Sequence, residues 1–441
     1  MEEPCYYDIR HVRGVSTTIE IDNSVVESAA DSFFDVAILR VLNRRGWGVV
    51  SIENFGAKSK KEIDEYIALA MRYASATEEE VVLADCRSGI LQMPELKEDP
   101  KEVSLEDKCN LLLEIEKTAK IENIINTRAN YSEGNGTVYF EDSSGHEYTY
   151  EICRLGYSVS AVAKKGDVMQ AGRESEHSIT GLNLRHKDNK GLSAANRAVS
   201  LLDAAPAKGG IMDAVLDQEL AGVFAHEAVG HASEGDLVKE GISVLRGMTG
   251  QKIGDEIVSV VDDPTLFEFG FMPVDAEGVL PVRTEIIKKG VLKSFLHNRQ
   301  TLAAVGDGDA GHARAESGSV PVVRMSNTFI ENGDSTYDEI IAECKNGILL
   351  KGSRGGQVDP GRGVFQFNAE YGYLIKNGEL SGMVRDVSLS GDILKTLYNI
   401  ALCADDRKMN PGYCGKAGQS VPVTDGSPHL LLKSAVIGGR G

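Results

Sequence analysis

Two histidines and a glutamate are concentrated in one short segment of this chain, AGVFAHEAVGHASEGD, at residues 221–236. His226, Glu227 and His231 form an H-E-x-x-x-H pattern, and imidazoles beside a carboxylate are the groups that metal-dependent hydrolysis uses. With nine histidines in 441 residues, chance would produce this pattern only about 0.01–0.02 times. The alternative interpretation is a helix whose histidines only cap neighbours or satisfy buried carbonyls. We interpret the segment as a metal site.

The spacing of the two histidines differs from that of common zinc peptidases. In H-E-x-x-H the histidines are four residues apart, about 40° around a helix, so both imidazoles reach one metal. Here the interval is five residues, which separates His226 and His231 by about 140° in a regular α-helix. A π-bulge would bring the rings together, and Gly230 is a poor helix former that favours a local distortion. We therefore predict an irregular helix at residues 229–231, with Glu227 acting as general base on a metal-bound water.

A third ligand must come from another part of the chain, because catalytic zinc has three protein ligands and one open position. Cys414 is the best candidate, since GYCGKAGQSVPV at residues 412–423 predicts a glycine-flanked loop in which a thiolate can meet a metal. Three other residues offer suitable donor atoms: Glu234, His297 and His312. Residue types and spacing alone leave all four open.

The first part of the chain mixes helix and strand patterns. Apolar side chains at helical spacing predict three helices, at residues 24–45, 60–74 and 104–118. Ser104 and Asp107 supply the cap and the first-turn acid of the third helix. Short strands are predicted at GWGVVSI (46–52) and, buried, at VVLAD (81–85). From about residue 125, β-forming residues alternate and break at SSGH and KKGD, which predicts successive antiparallel hairpins.

The second part of the chain is predicted to be a glycine-rich β-domain that carries a few helices. A helix at 192–206 ends at a proline and is followed by the flexible sequence AKGG. We therefore divide the chain into an N-terminal domain at residues 1–195 and a C-terminal domain at 196–441. Beyond the boundary, helices are predicted at residues 218–234, 296–305 and 391–405.

Composition excludes several classes of function. Apolar residues make up 42% and charged residues 26%, as in an ordinary folded protein. The 47 basic and 66 acidic residues give a formal charge of -19, which repels nucleic acid and anionic lipid. No apolar run approaches the roughly 20 residues that cross a bilayer, the start MEEPCYYDIR is unlike a signal peptide, and seven cysteines without a CxxC pair suit a reducing compartment. We expect a cytoplasmic protein that binds neither nucleic acid nor membrane.

Two distant segments resemble the TldD branch of the TldD/TldE (PmbA) zinc metalloprotease family: HEAVGHASEGD (226–236) and GYCGKAGQSVPV (412–423). Segments between them agree in family order: SVVDDPTL (259–266), VDAEGVLPVRTEIIKKGVL (274–292), RMSNTFI (324–330) and GRGVFQFNAEYGYLIKNGEL (361–380). The resemblance covers most of residues 220–434 and, more weakly, residues 46–74. It is specific, because two separate motifs and their spacing agree together.

This resemblance implies an α+β fold, in which an N-terminal α/β domain precedes a C-terminal domain that is rich in antiparallel β-strands and carries the metal site. It implies zinc held by His226, His231 and Cys414, with Glu227 as the catalytic acid/base. It further implies a heterodimer, in which the motif-bearing chain supplies the metal and a TldE-like partner subunit closes the peptide channel. The substrates it implies are unfolded peptides or flexible segments.

Two hypotheses about function follow. The first is a zinc-dependent peptidase that hydrolyses unfolded peptides by zinc-activated water, with Glu227 as the base. The alternative is a non-catalytic, metal-stabilised interaction protein that modulates a larger partner such as a topoisomerase. Glu227 separates the two hypotheses, because a structural metal site has no need of an acid beside its first ligand.

Overall fold

The computed structural model describes residues 5–43, 46–185 and 189–440. Its N-terminal part is built on one six-stranded sheet with the order β3-β2-β1-β4-β5-β6, antiparallel at every pairing. The strands are β1 (Tyr6–Asp22), β2 (Val25–Asn43), β3 (Gly46–Glu53), β4 (Ile124–Asp142), β5 (Glu147–Lys165) and β6 (Val168–Ser178). The predicted strand at 46–52 and the hairpins from residue 125 are confirmed, and the SSGH and KKGD sequences form the turns.

Three helices cover one face of this sheet: α1 (Lys60–Ser75), α2 (Leu105–Lys117) and α3 (Lys190–Leu202). α1 and α2 are predicted correctly, because apolar spacing is a local signal; the Ser104 hydroxyl accepts the N–H of Asp107, as expected. The helix predicted at 192–206 is confirmed as α3 but ends at Leu202, before Pro206. α1 lies directly on β3, where a Cβ at Gly48 would be 1.9 Å from the carbonyl oxygen of Ala70. Glycine at position 48 therefore sets how closely this helix approaches the sheet.

The helix predicted at residues 24–45 is wrong: its described part forms strand β2. β2 pairs with β1 on one side and β3 on the other, and from residue 36 to residue 42 it is buried on both faces. Ala37, Leu39 and Val41 pack under α1, while Arg40 on the other face pairs with Asp8 and with Glu277 of the C-terminal part. A strand covered on both faces is apolar at nearly every position, so its sequence also satisfies a helical pattern.

The buried strand predicted at residues 81–85 is also wrong. The segment has no strand pairing, and Val82 is 61% exposed. Two hydrogen bonds tie it to Arg299: the N–H of Ala84 donates to the carbonyl of Arg299, and Nε of Arg299 donates to the carbonyl of Ala84. A short apolar run is weak evidence for a strand, because it packs equally well as an irregular segment across another surface.

The C-terminal part contains a ten-stranded sheet, a six-stranded sheet and a separate pair of strands. The ten-stranded sheet has the order β16-β17-β20-β24-β8-β15-β18-β19-β7, with β21 paired to β24. The six-stranded sheet has the order β11-β10-β9-β14-β23-β22, and the pair is β12-β13. The strands are, in chain order, β7 (Ala205–Pro206), β8 (Gly210–Leu216), β9 (Val260–Asp262), β10 (Thr284–Lys288), β11 (Val291–Leu292), β12 (Ala313–Arg314), β13 (Val322–Val323), β14 (Asn327–Ile330), β15 (Gly347–Lys351), β16 (Gly356–Asp359), β17 (Val364–Asn368), β18 (Tyr371–Lys376), β19 (Glu379–Arg385), β20 (Ser388–Asp392), β21 (Ile400–Cys403), β22 (Lys408–Lys416), β23 (Gln419–Ser427) and β24 (Leu430–Gly438). One large apolar cluster joins the two main sheets, and the α+β class with a strand-rich C-terminal part is confirmed.

The helices of this part are short: α4 (Gln218–Val223), α5 (Gly235–Glu240), α6 (Arg299–Val305), α7 (Tyr337–Cys344) and α8 (Ile393–Asn399). The helix predicted at 391–405 is thus confined to α8, because Cys403 belongs to strand β21. α7 is not predicted from the sequence, although Thr336 and Glu339 form a capping box that marks its start. The division of the chain at residue 195 stays a prediction; α3, which spans that position, packs on β5 and β6. In the described residues, the helices are all too short or too polar to span a membrane.

Candidate metal centre

The helix that carries the H-E-x-x-x-H motif changes its winding along its length. α4 continues directly into a π-turn over Phe224–Gly230, followed by a 3-10 turn over His231–Ser233. In the π-turn the N–H of His231 donates to the carbonyl of His226, five residues earlier. The predicted irregularity at residues 229–231 is confirmed, and the wider winding extends back to Phe224.

This wider turn brings the two imidazoles to the same side of the helix. The ring centroids of His226 and His231 lie 5.4 Å apart, with an angle of 87° between the ring planes. Gly230 keeps a helical φ of -58°, so it does not itself break the helix. A Cβ at this position would lie 2.8 Å from Sδ of Met325, so Gly230 is needed for close packing of the turn.

Cys414 approaches the histidines from strand β22, at the edge of the six-stranded sheet. The loop predicted at residues 412–423 is wrong: β22 and β23 form a hairpin there, and Cys414 is buried within it. Side chains alternate along a strand, so Cys414 and Lys416 share the face toward the motif, while Tyr413 faces the other way. Glycines are compatible with an edge strand as well as with a loop. The glycines of this segment therefore do not distinguish the two, which is why the prediction of a loop is wrong.

The donor atoms of His226, His231 and Cys414 all lie within 4.8 Å of one another, and Sγ of Cys414 is 3.5 Å from Nε2 of His231. Burial raises the pKa of Cys414, but hydrogen bonds and charge from both histidines outweigh burial and lower the pKa to about 4. Burial lowers the pKa of His231, whereas Glu234 and Cys414 raise it to about 10. At neutral pH Cys414 is therefore a thiolate, the form that binds metal, and metal binding would release the imidazole protons.

The structure separates Cys414 from the other candidates for third ligand. Glu234 lies behind His231, with Oε2 3.0 Å from Nδ1, the nitrogen opposite the one that faces Cys414. His297 is fully buried and bonds through Nδ1 to Thr301 Oγ1, and His312 is fully buried as well. Neither belongs to the donor group in the described part of the chain.

Glu227 lies on the accessible side of the donor group. Its side chain is 34% exposed, and Oε2 is 3.6 Å from Nε2 of His231. A carboxylate, two imidazoles and a thiolate thus lie close together, and the carboxylate is the most exposed of these groups. Two nitrogen donors and one thiolate fit zinc, which binds such mixed sets with a fourth position open in catalytic sites.

Three segments of the chain match the sequence profiles of one protein family. Residues 7–74 match PmbA/TldA metallopeptidase domain 1, residues 98–202 the central domain, and residues 209–439 the C-terminal domain. The last match includes His226, His231 and Cys414 and spans just over half of the chain. This chain belongs to the PmbA/TldA metallopeptidase family. Its other members therefore bear on how the site is interpreted.

Two metalloproteases and one solved structure resemble this chain over almost their whole length. A metalloprotease of Archaeoglobus fulgidus is 40% identical over 434 residues, covering 98% of this chain and 99% of that protein. The zinc metalloprotease TldD homolog of Saccharolobus solfataricus is 28% identical over 449 residues, covering 98% and 96%. The crystal structure of TldE from Thermococcus kodakarensis gives a TM-score of 0.79 at 19% identity, covering 99% and 97%. The last likeness shows the fold alone.

Two charged residues that the sequence does not single out lie beside the candidate metal centre of this PmbA/TldA protein. Lys416 contacts Glu234, and its position two residues after Cys414 is a signal once β22 is known to be a strand. Asp425 lies across the hairpin from Asn410. Burial raises the pKa of Asp425 to about 7; the charge of Glu227 adds to this effect and that of His226 opposes it. Only the register of the hairpin brings Asp425 to the site.

A cleft of about 650 Å³ opens between the N-terminal and C-terminal parts. Edge strand β6 lines one side, and residues 409–411 of edge strand β22 line the other. Glu219, at the start of α4, also lines the cleft, and burial with the charges of Asp217 and Glu370 raises its pKa to about 8. The cleft therefore borders the strand that carries Cys414 and the helix that leads to the motif.

Proposed function

We propose that this chain is a zinc-dependent peptidase that hydrolyses unfolded peptides or flexible segments, with Glu227 as its acid/base. The observation that carries the proposal is the convergence of His226 and His231, from one π-turn, with Cys414, from a strand far along the chain. Glu227 lies beside these donors on the side open to water. The metalloprotease names of several family members support the same reaction class.

The proposed chemistry assigns a distinct task to each group. Zinc, held by His226, His231 and Cys414, would supply a Lewis acid for a water molecule and for the substrate carbonyl. Glu227 accepts a proton at Oε2 from the attacking water and delivers it to the nitrogen of the departing amine. Glu234 binds Nδ1 of His231, which fixes the tautomer and leaves Nε2 for the metal.

The proposed substrate class follows from the two edge strands at the cleft. β6 and β22 each have a strand partner on one side only within their described sheets. An extended peptide can pair its backbone with such an edge, and this mode of binding depends little on sequence. Binding through the backbone requires an unfolded chain, because a folded protein has already used those N–H and C=O groups.

Removal of the metal is expected to abolish peptide hydrolysis, and added zinc should restore it. The physical reason is that the carboxylate of Glu227 alone is too weak a base to activate water for attack on an amide. The measurement is cleavage of an unstructured peptide before and after chelation, with magnesium as the control because it prefers oxygen donors. Undiminished hydrolysis by protein shown to be free of metal would reject the zinc-dependent reaction.

A TldE-like partner subunit is expected to raise the activity of this chain, which alone should hydrolyse peptides poorly. The fold likeness to TldE supports a pairing of similar subunits, and a partner could enclose a cleft that is open in the single chain. Size-exclusion chromatography and peptide cleavage, with and without a candidate partner, test this expectation. A fully active monomer that ignores the partner would contradict it.

A further inference from the structure

Lys416 is bound by several acceptors close to the metal centre. Its ammonium lies 3.0 Å from Oε2 of Glu234, 2.8 and 2.7 Å from the two carboxylate oxygens of Asp236, and 3.0 Å from the carbonyl oxygen of Val323. The side chain is only 17% exposed. An ammonium has three protons to donate, so all of them are engaged within this group of acceptors.

These contacts join the segments that carry two of the proposed ligands. Lys416 lies two residues after Cys414, on the same face of β22. Glu234 lies three residues after His231, at the N-cap of α5, and Asp236 lies five residues after it, in the first turn of that helix. One side chain therefore connects the strand of the thiolate to the segment of the second histidine.

An edge strand needs such a connection more than a central strand does. β22 is hydrogen-bonded to β23 along its length and lies at the end of its sheet. Its distance from the motif helix therefore depends on side-chain contacts. Apart from the contact between Cys414 and His231, a further polar contact runs from Asn410 Nδ2 to the carbonyl of Gln218, at 3.4 Å. The gap between Sγ of Cys414 and Nε2 of His231 lies between the contacts of Asn410 and Lys416.

Glu234 contacts both Lys416 and His231, and so connects the two side chains. Its side chain is fully buried, and the same oxygen, Oε2, accepts from Lys416 and lies 3.0 Å from Nδ1 of His231. A buried carboxylate is costly unless a cation compensates it, and removal of that cation leaves a charge without a partner. Movement of Lys416 would therefore displace both the carboxylate and the imidazole that it holds.

We propose that Lys416 is a positioning residue of the metal centre, whose ammonium joins β22 to residues 234–236 and so sets the distance between the Cys414 thiolate and the His231 imidazole. This inference rests on the proposed zinc site. It assigns no contact between Lys416 and the metal or the substrate. It affects the reaction by holding two proposed ligands, Cys414 and His231, at the right distance from each other.

Lys416→Met is expected to weaken zinc affinity by about 10–100-fold, the usual cost of losing a group that orients a ligand. With cobalt in place of zinc, the thiolate-to-cobalt absorption band should weaken or shift, because the Cys414 sulfur no longer lies at bonding distance. Lys416→Arg should recover most of the affinity, since a guanidinium can serve both carboxylates. Lys408→Met is the matched control, an exposed lysine at the other end of the same strand.

Zinc affinity is measured by competition with a chelator, cobalt binding by absorption, and folding by thermal unfolding of the metal-free proteins. Should Lys416→Met fail to fold, Asp236→Asn gives a milder test, with a smaller loss in the same direction. Wild-type affinity and cobalt spectrum in these variants, even with a lowered melting temperature, would overturn the positioning role. Failure of the wild-type chain to bind either metal would instead defeat the zinc site, and this inference with it.

Discussion

Replacement of Glu227 by glutamine is expected to lower peptide hydrolysis by about 10²–10⁴-fold, the range of general acid–base catalysis, while zinc content stays unchanged. Glutamine has nearly the same shape but cannot accept a proton from water at neutral pH. Glu227 is not needed for the donor group, which consists of His226, His231 and Cys414. The effect should therefore appear in kcat and leave the metal in place.

The test compares kcat and zinc content by elemental analysis in the wild-type chain, Glu227→Gln and Glu240→Gln. Glu240 is a suitable control, because it is an exposed residue at the end of α5, in the same stretch of the chain. Wild-type turnover in Glu227→Gln at full zinc occupancy would remove Glu227 as the base. A variant that loses its zinc would show instead that Glu227 contributes to metal binding.

Cys414→Ala is expected to lose most of its zinc, whereas Cys403→Ala should keep about one ion per chain, the content of a single three-ligand site. The two cysteines form a matched pair, because they are equally buried, at 4% and 3% exposure. Their surroundings differ: burial raises the pKa of Cys403 to about 12, while the two histidines lower that of Cys414 to about 4. Of these two thiols, Cys414 is the one whose lowered pKa favours the thiolate form at neutral pH.

Elemental analysis of both alanine variants, purified under the same conditions, measures this difference. Thermal unfolding of the metal-free proteins shows whether the loss of a buried sulfur has itself disturbed the fold. Equal zinc content in the two variants would mean that the third ligand is another residue, and Glu234 would be the first to test because it contacts His231.

Several features of this protein are determined by local sequence, because neighbouring residues along the chain supply all the interactions that define them. The caps of α1 and α2, and the alternation that forms β4 to β6, are signals of this kind. The π-turn is another: histidines five residues apart can share one side of a helix only if its winding is irregular, so the motif itself predicts the distortion.

Tertiary contacts decide the features that the sequence predicts wrongly. The residues of β2 have an apolar pattern that predicts a helix, but they form a strand. For residues 36–42, distant parts of the chain supply partners on both edges and cover on both faces. Residues 81–85 have the apolar pattern of a strand, but in the described structure they pair with no other strand. The periodicity of apolar residues indicates which side chains can be buried, but it does not indicate which parts of the chain will cover them.

The residues of the candidate site also fall into two groups, those that the local sequence indicates and those that only the tertiary structure brings in. The sequence by itself determines His226, Glu227 and His231 as a group, because one helix turn holds all three. Residue types favour Cys414 as the third ligand but leave Glu234, His297 and His312 open, and only the tertiary structure brings Cys414 to the two histidines. The distance from β22 to the motif helix depends on the register of a hairpin and the packing of a sheet, which side-chain spacing along the chain does not encode.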